Sequence, residues 1–423
     1  MRILVISRNA WDDTNSIGNT LTNFFKGIDD LEVANIFFRS ANPNNNVCCR
    51  YYRVTEGDVL KKWFLTKKIG REFIWKQDEK KESQSVTEKK EKKIIQIIHK
   101  YGFKVAYKIS DYIWYSRKWI NDNLQHFIES FKPDVMITFV KSAPQYYLTI
   151  RYLREKYNIP LFAWIADDEY SILSNNSSFR EINNLRYILR ESSVVCGCSE
   201  EICEYYNTIF NCNAIPLYKG CDLSTPLKKT TNSPIKIVYA GNLMYGRLEV
   251  INKIADVLNG YNGNSPRVSL EIYSNTSLFP EEKKCLEQKQ CLKYMGRRDY
   301  EVVMQCLANA DIVLHVESFE KEQIVKTKYS FSTKIVDCLQ SGSCLLAVGP
   351  KEVASVNYIK KIQGAYVIDN LESLEFELVT LLNLSDELST RAKEIREFAI
   401  NHHDLVKNSE KIKGVLNKIV RGY

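Results

Sequence analysis

The sequence predicts an α/β protein built from two tandem halves, each a parallel sheet wrapped by helices. Three observations carry that prediction. Short apolar runs of about four to eight residues alternate with amphipathic runs of about ten or more, which is the pattern of βαβ units. A polar stretch at 226–234, bounded by Pro226 and Pro234 and containing Thr230 and Thr231, interrupts the alternation. The same alternation then restarts and runs to about residue 350.

The elements follow in order. Residues 1–7 read as a first strand, 17–28 as a helix and 31–38 as a second strand. An insertion occupies about 50–120. Beyond it come a strand at 134–140, a helix at 144–157 and a strand at 160–165. A strand at 193–198, a helix at 200–210 and a strand at 214–217 complete the first half. The second half reads as a strand at 235–240, a helix at 248–258 and a strand at 268–273. A short strand at 292–295, a helix at 300–308 and a strand at 312–316 continue it. A helix at 333–340 and a strand at 344–348 follow, then helices to the end. The expected organisation is a first domain at 1–225, a linker at 226–234, a second domain at 235–400 and a terminal helix at 401–423. Open parallel sheets bind ligands beyond the carboxyl ends of their strands, so the natural site of two tandem sheets is the cleft between them. Neither half carries a GxGxxG fingerprint, which argues against a nicotinamide or flavin enzyme.

Composition narrows the function classes. Of the 423 residues, 44% are apolar and 26% charged, close to the globular average, which excludes a disordered, collagen-like or coiled-coil chain. No apolar run approaches the roughly 20 residues of a membrane span, and the first strand is too short for a signal-peptide core, so a cytoplasmic location is expected. The net charge of +8 is concentrated in one place. Residues 50–120 hold 19 Lys and Arg against 9 Asp and Glu, leaving 40 basic and 42 acidic residues elsewhere. This segment interleaves Lys61, Lys62, Lys67 and Lys68 with Trp63 and Phe64, and adds Tyr112, Trp114, Tyr115 and Trp119. Such a mixture suits an anionic membrane surface, which would make the protein peripheral on the inner face of the membrane. It equally suits a solvated insertion whose aromatics pack on their own domain. No nucleic-acid module accompanies it, so no nucleic-acid partner is expected. Twelve cysteines are present, five of them between Cys196 and Cys221. They lack paired CxxC spacing or a neighbouring His, so they are read as small buried hydrophobes and no metal is expected.

Two segments carry chemistry. In the first, Ser330, Ser332 and Thr333 open a helix, with Ser332 the expected N-cap. The exposed N–H groups and positive end of a helix attract anions. Lys334 in the first turn opposes the helix dipole, which points to an anionic ligand. Asp337, one turn on, offers a carboxylate to sugar hydroxyls, and Gly342 closes the helix. In the second, the strand at 235–240 ends before Gly241, Asn242 and Gly246, and Arg247 stands at the start of the next helix. Glycine permits close backbone approach, and Arg suits forked contacts to phosphate oxygens. The plainer readings are a capped helix with an incidental Lys–Asp pair and an ordinary βα loop. Asp167 and Asp168, after the strand at 160–165, read either as contacts to an acceptor or sugar hydroxyl or as an acidic helix start.

Together these segments resemble the donor half of the family 4 glycosyltransferases of GT-B fold, two Rossmann-like α/β/α domains facing across a cleft. The family's Gly-Arg-Leu motif is matched by Gly241 and Leu243, with Asn242 in the Arg position and Arg247 in the position of the following Lys. Of the family's two Glu separated by seven residues, Asp337 matches the second and Tyr329 stands at the first. Ser332-Thr333-Lys334-Ile335 looks like the branch active in bacterial surface polysaccharide assembly.

The resemblance implies a retaining, metal-independent glycosyltransferase that uses a nucleotide-diphosphate sugar as co-substrate and no cofactor, with a glycan or lipid-linked glycan as acceptor. It implies that Arg247 and Lys334 hold the diphosphate, and that Gly241, Asn242, Ser332, Thr333 and Asp337 bind the donor. Glu317 and Glu320, after the preceding strand, are the candidates to replace the missing sugar-binding Glu. The turn at Gly18, Asn19 and Thr20 faces the donor phosphate and the acceptor, and the terminal helix crosses back to the first domain. The family's His near the transferred sugar has no clear counterpart. The competing readings are a nucleotide-sugar epimerase of the same fold and a non-catalytic nucleotide-sugar or glycan binder.

Overall fold

The computed structural model describes residues 1–59, 69–75, 110–176, 178–228 and 230–422. The chain divides into two compact units. The first is 1–217 together with 409–423, and the second is 218–408.

The first unit is built on an eight-stranded sheet. Its strands are β1 (Arg2–Ser7), β2 (Glu32–Phe37), β3 (Arg50–Arg53), β4 (Arg71–Ile74), β5 (Val135–Phe139), β6 (Leu161–Ile165), β7 (Val194–Gly197) and β8 (Ile215–Pro216). Their order is β4-β3-β2-β1-β5-β6-β7-β8, and every pairing is parallel except β3 with β4. The central strands are buried along nearly their whole length, as expected where helices cover both faces. The helix Pro144–Tyr157 begins on a proline that fits the first turn, and Glu200–Phe210 is capped by Ser199, whose hydroxyl accepts from Ile202 N.

The second unit holds β9 (Ile235–Ala240), β10 (Val268–Tyr273), β11 (Leu292–Gly296), β12 (Ile312–Val316), β13 (Cys344–Val348) and β14 (Tyr366–Ile368). They form an all-parallel sheet in the order β11-β10-β9-β12-β13-β14. Relative to chain order this is 3-2-1-4-5-6, the doubly wound arrangement. One face of the sheet packs on the helices Arg247–Asn262 and Leu374–Asn383 through Ile251, Ile254, Leu258, Leu378 and Leu381.

Several expectations change. Within the stretch expected as a linker, Lys228 and Asn232 are tied to Asp311. Asp311, 4% exposed, accepts from Asn232 N, Asn232 Nδ2 and Lys236 N and pairs with Lys228 at 2.8 Å. The insertion supplies two strands, β3 and the edge strand β4, that the sequence pattern did not reveal, because each is only four residues long. The aromatics read as a membrane-facing cluster part company. Trp114 and Trp119 are buried and pack edge-on against each other and against Phe38, while Tyr112 is exposed. Burial of these rings stabilises the unit and removes them from any surface. The Lys61, Lys62, Trp63, Phe64, Lys67 and Lys68 cluster lies outside the described residues. Strand β14 replaces part of the expected helical tail. The terminal helix, Leu405–Arg421, is shared, since residues from Ser409 onward belong to the first unit. There Ser409 Oγ donates to Lys26 O at 2.6 Å, and Ile412 and Leu416 line a small apolar cavity with Phe24 and Trp164. Among the described residues, no helix is long and apolar enough to cross a membrane. Cys196, Cys198, Cys203 and Cys221 are buried as free thiols, and burial pushes the Cys196, Cys203 and Cys221 thiols up to about 12.

Gly18 has a packing reason. A Cβ placed there would lie 2.1 Å from the Asp12 carbonyl oxygen, a backbone atom with no room to yield. Gly18→Ala is therefore expected to destabilise the protein by about 1–3 kcal/mol, the usual cost of overpacking, as read from urea unfolding.

Candidate functional site

In the doubly wound order, strands one and four are neighbours whose connections depart to opposite sides, which leaves a crevice beyond their carboxyl ends. In the second unit these strands are β9 and β12, with Leu314 in register with Tyr239. A cavity opens there, lined by Tyr239, Ala240, Asn242, Arg247, His315, Ser332, Lys334 and Cys338. Three elements meet around it: the loop after β9, the end of β12, and the first turn of the helix Lys334–Ser341.

The loop after β9 turns sharply. Gly241 is packed under the Tyr239 ring, where a Cβ would meet the hydroxyl at 2.7 Å, and that hydroxyl donates to Asn242 O. Tyr245 and Gly246 both have positive φ, and a Cβ on Gly246 would meet Ser318 Oγ at 2.4 Å. This turn sets Arg247 as the first residue of its helix. The Arg247 guanidinium is almost fully committed. Its Nε donates to Val316 O at 3.1 Å, Nη1 to Asn242 Oδ1 at 2.7 Å, and Nη2 to both Glu317 oxygens at 3.0 and 2.8 Å. An arginine has five N–H donors, so one on Nη1 remains. Burial opposes the Arg247 charge, but the Glu317 carboxylate outweighs it and holds the pKa above the ordinary arginine value.

Glu317, expected as a donor contact, is 2% exposed and turned inward to Arg247. Burial pushes its pKa upward. The His315 ring and the Arg247 guanidinium together prevail and hold it below the usual glutamate range. His315 is the residue that sequence reasoning missed. It is 6% exposed, and its Nε2 lies 3.4 Å from Glu317 Oε1 without a hydrogen-bond partner among the described residues. The signal was available: in a strand, positions 315 and 317 share one face.

Lys334 differs from Arg247. Half-buried, its ammonium has no hydrogen bond or ion pair among the described residues. Burial, reinforced by the positive field of Arg247, lowers its pKa, although Asp337 and Glu317 pull the other way. The helix it opens is N-capped by Thr333, not by Ser332 as the sequence suggested, and no side chain caps the first turn. Ser332 instead donates its N–H to Ser355 Oγ, which in turn donates to Ser330 O. Asp337 is held by Lys219 Nζ at 3.0 Å and Tyr300 Oη at 3.1 Å, both on Oδ1.

The expected residues of the first unit have local partners. Gly18 N donates to the Asn15 cap, Asn19 N to Asn15 O, and Thr20, 1% exposed, donates its hydroxyl to Ser16 O. Gly18 and Thr20 are thus committed to the helix Ser16–Phe25 and its packing. Asp168 Oδ1 accepts from Ser171 N and Tyr206 Oη, the local role of an acidic helix start. Asp167 pairs with Lys141 at 3.5 Å and is largely exposed.

No protein-family model matches the chain, and no curated protein matches it. Solved structures do match over the whole length. HepE of Anabaena, in complex with UDP and glucose, aligns with a TM-score of 0.62 at 13% identity, covering 99% of this chain and 100% of that one. Sucrose-phosphate synthase of Thermosynechococcus elongatus gives 0.66 at 10% identity and covers 100% of both chains. TarM gives 0.61 at 10% identity and covers 98% of each. The two parallel-sheet domains match GT-B glycosyltransferase structures, and the chain has that fold.

The Arg247–Glu317 pair should leave a pH signature. A carboxylate with a depressed folded pKa contributes stability that is present above its unfolded pKa and is lost as pH falls through the folded one. Glu317→Gln is expected to cost roughly 3–5 kcal/mol near neutrality, as removal of one partner of a buried pair does. It should also flatten the loss of stability below the ordinary glutamate pKa. Urea unfolding across pH 3–7 checks both.

Proposed function

We propose that this protein is a retaining glycosyltransferase of the family 4 type. It moves a sugar from a nucleotide-diphosphate sugar to a glycan or lipid-linked glycan in cell-surface polysaccharide assembly. The observation that carries this reading is Lys334: a half-buried, unpaired ammonium at an uncapped helix N-terminus, in the crevice of a doubly wound sheet. Helix dipole, free N–H groups and cation all favour an anion at that point. The fold supports a nucleotide-sugar donor, because HepE of the same fold is solved with UDP and glucose.

In this reading the hard step is departure of the nucleoside diphosphate. The bond from the anomeric carbon to the phosphate oxygen breaks, the acceptor oxygen bonds to that carbon on the same face, and the acceptor proton passes to the departing phosphate. Lys334 and the first-turn N–H groups neutralise the charge that develops there, and such a preorganised donor is worth about 2.7–4 kcal/mol. Arg247 contributes its one remaining N–H. Glu317 fixes the orientation of Arg247 instead of touching the sugar. Asp337 keeps Oδ2 for a donor hydroxyl, with Lys219 and Tyr300 holding the carboxylate still. Asn242 and Ser332 shape the walls.

A second reading, a non-catalytic nucleotide-sugar or glycan binder, is favoured by one observation: both Arg247 and Asp337 already have internal partners. Thermal shifts with UDP-, GDP-, ADP- and dTDP-sugars test binding, and transfer to glycan acceptors separates the readings. A shift without turnover supports the second, and no shift with any donor overturns both.

Lys334→Met should reduce transfer by more than about tenfold, the scale of losing one electrostatic donor. It should also raise the Tm of the free protein, since it removes a charge that the folded state disfavours. Transfer at the wild-type rate by folded Lys334→Met would remove Lys334 from the mechanism.

A further inference from the structure

We infer that His315 takes up a proton when a diphosphate enters the crevice of the second unit, so that the imidazolium shares Glu317 with Arg247 and adds its charge to those of Arg247 and Lys334. The inference rests on the proposed reading of this crevice as the donor diphosphate site and names a regulation of that site by pH.

His315 stands near the end of β12, in register with Ala347 of β13. Ile312, Leu314 and Val316 of the same strand join the apolar core, so positions 313, 315 and 317 take the opposite face. There His315 lines the cavity with Arg247, Lys334 and Cys338. It is 6% exposed, and its Nε2 is buried without a hydrogen bond among the described residues. Glu317 Oε1 lies 3.4 Å from that nitrogen and already accepts from Arg247 Nη2 at 3.0 Å.

A neutral imidazole is poorly served in this position. With the proton on Nδ1, a lone pair faces a carboxylate oxygen. With the proton on Nε2, the donor stands 3.4 Å from an oxygen that an arginine already holds. Protonation of both nitrogens makes the contact charge-assisted. The proton comes from solvent and fills the ring nitrogen that lacks one, and no bond to the ligand forms. Imidazole is the side chain suited to such a change near neutrality.

The surrounding charges decide when that proton arrives. Glu317 faces the ring from its own strand end. Arg247 opens the helix Arg247–Asn262, and Lys334 and Asp337 lie at the start of Lys334–Ser341. Asp337 is answered by Lys219 and by Tyr300 of the helix Tyr300–Ala308, on which Glu301 is exposed. Burial keeps the Cys338 thiol and the Tyr239 phenol protonated. Arg247, Lys334 and Lys219 against Glu317 and Asp337 leave a net positive charge, which opposes a further cation in the free protein. An entering diphosphate reverses that balance.

Calorimetric titration of the full-length chain with inorganic diphosphate, in buffers of different ionisation enthalpy between about pH 6 and 8, counts the protons taken up on binding. The wild-type chain should take up more than His315→Gln. Its affinity should also rise more steeply as pH falls, by up to about tenfold per pH unit, the limit for one coupled proton. His315→Gln keeps a donor beside Glu317 but cannot titrate, so a merely structural histidine would leave the pH dependence unaltered. The uptake should persist in Lys334→Met, which leaves His315 intact. Equal uptake by wild type and His315→Gln, or its loss in Lys334→Met, assigns the proton to Lys334 and overturns the inference. Wild-type binding without proton uptake overturns it as well and needs no variant. Failure of the donor reading is distinguishable, since the wild-type chain then binds neither inorganic diphosphate nor any nucleotide sugar, and the inference falls with it.

Discussion

The ion pair between Arg247 and Glu317 governs the second unit's site. It joins the loop after β9 to the end of β12, the two strand ends that frame the crevice. A buried pair is costly to desolvate and persists only when its geometry is good and its remaining donors are satisfied. Here Val316 O and Asn242 Oδ1 take two more of the arginine's N–H groups. The positive-φ turn at Tyr245 and Gly246 brings the guanidinium to that position, so the loop conformation and the pair depend on one another.

The pair also decides what the neighbouring residues can do. Because Arg247 is spent largely on Glu317, the charge available to a ligand belongs mainly to Lys334. Burial and the nearby guanidinium make that charge uncomfortable in the free protein. This is the arrangement expected where folding stability has been given up for binding. The turn that carries Lys334 is itself anchored. Ser332 and Ser330 share Ser355, and Phe331 packs among Tyr218 and Tyr358. Tyr358 in turn meets His403 at 2.6 Å, and burial lowers the His403 pKa to about 4, so this imidazole stays neutral. A rigid aromatic foundation beneath a charged turn limits the reorganisation that a bound anion would require.

The two sheets share a strand order and differ in what fills their surroundings. The second is an economical doubly wound sheet whose helices cover apolar faces. The first is widened at this edge by the antiparallel β4 and thickened by buried aromatics, with Trp114 and Trp119 packed beside Phe38. Part of the basic insertion is therefore core.

The sequence by itself determined the two α/β halves and most of their elements. Hydrophobic periodicity is local, so the runs 144–157, 200–210, 235–240, 268–273, 300–308, 312–316 and 344–348 were readable with their observed limits. It also singled out Arg247 and Lys334, because a glycine turn and a cation in a helix's first turn are local anomalies. Short strands such as β3 and β4 carry too few residues to show a period. Partner choice was beyond reach for a different reason. Arg247 meets Glu317 across 70 residues, Lys219 meets Asp337 across 118, and Asp311 gathers the stretch 226–234 across 79. Which carboxylate faces a ligand and which is buried against a cation depends on how strands are ordered in the sheet. The tertiary structure alone therefore turned Glu317 from a sugar contact into the holder of Arg247, and left Lys334 as the cation free to meet an anion.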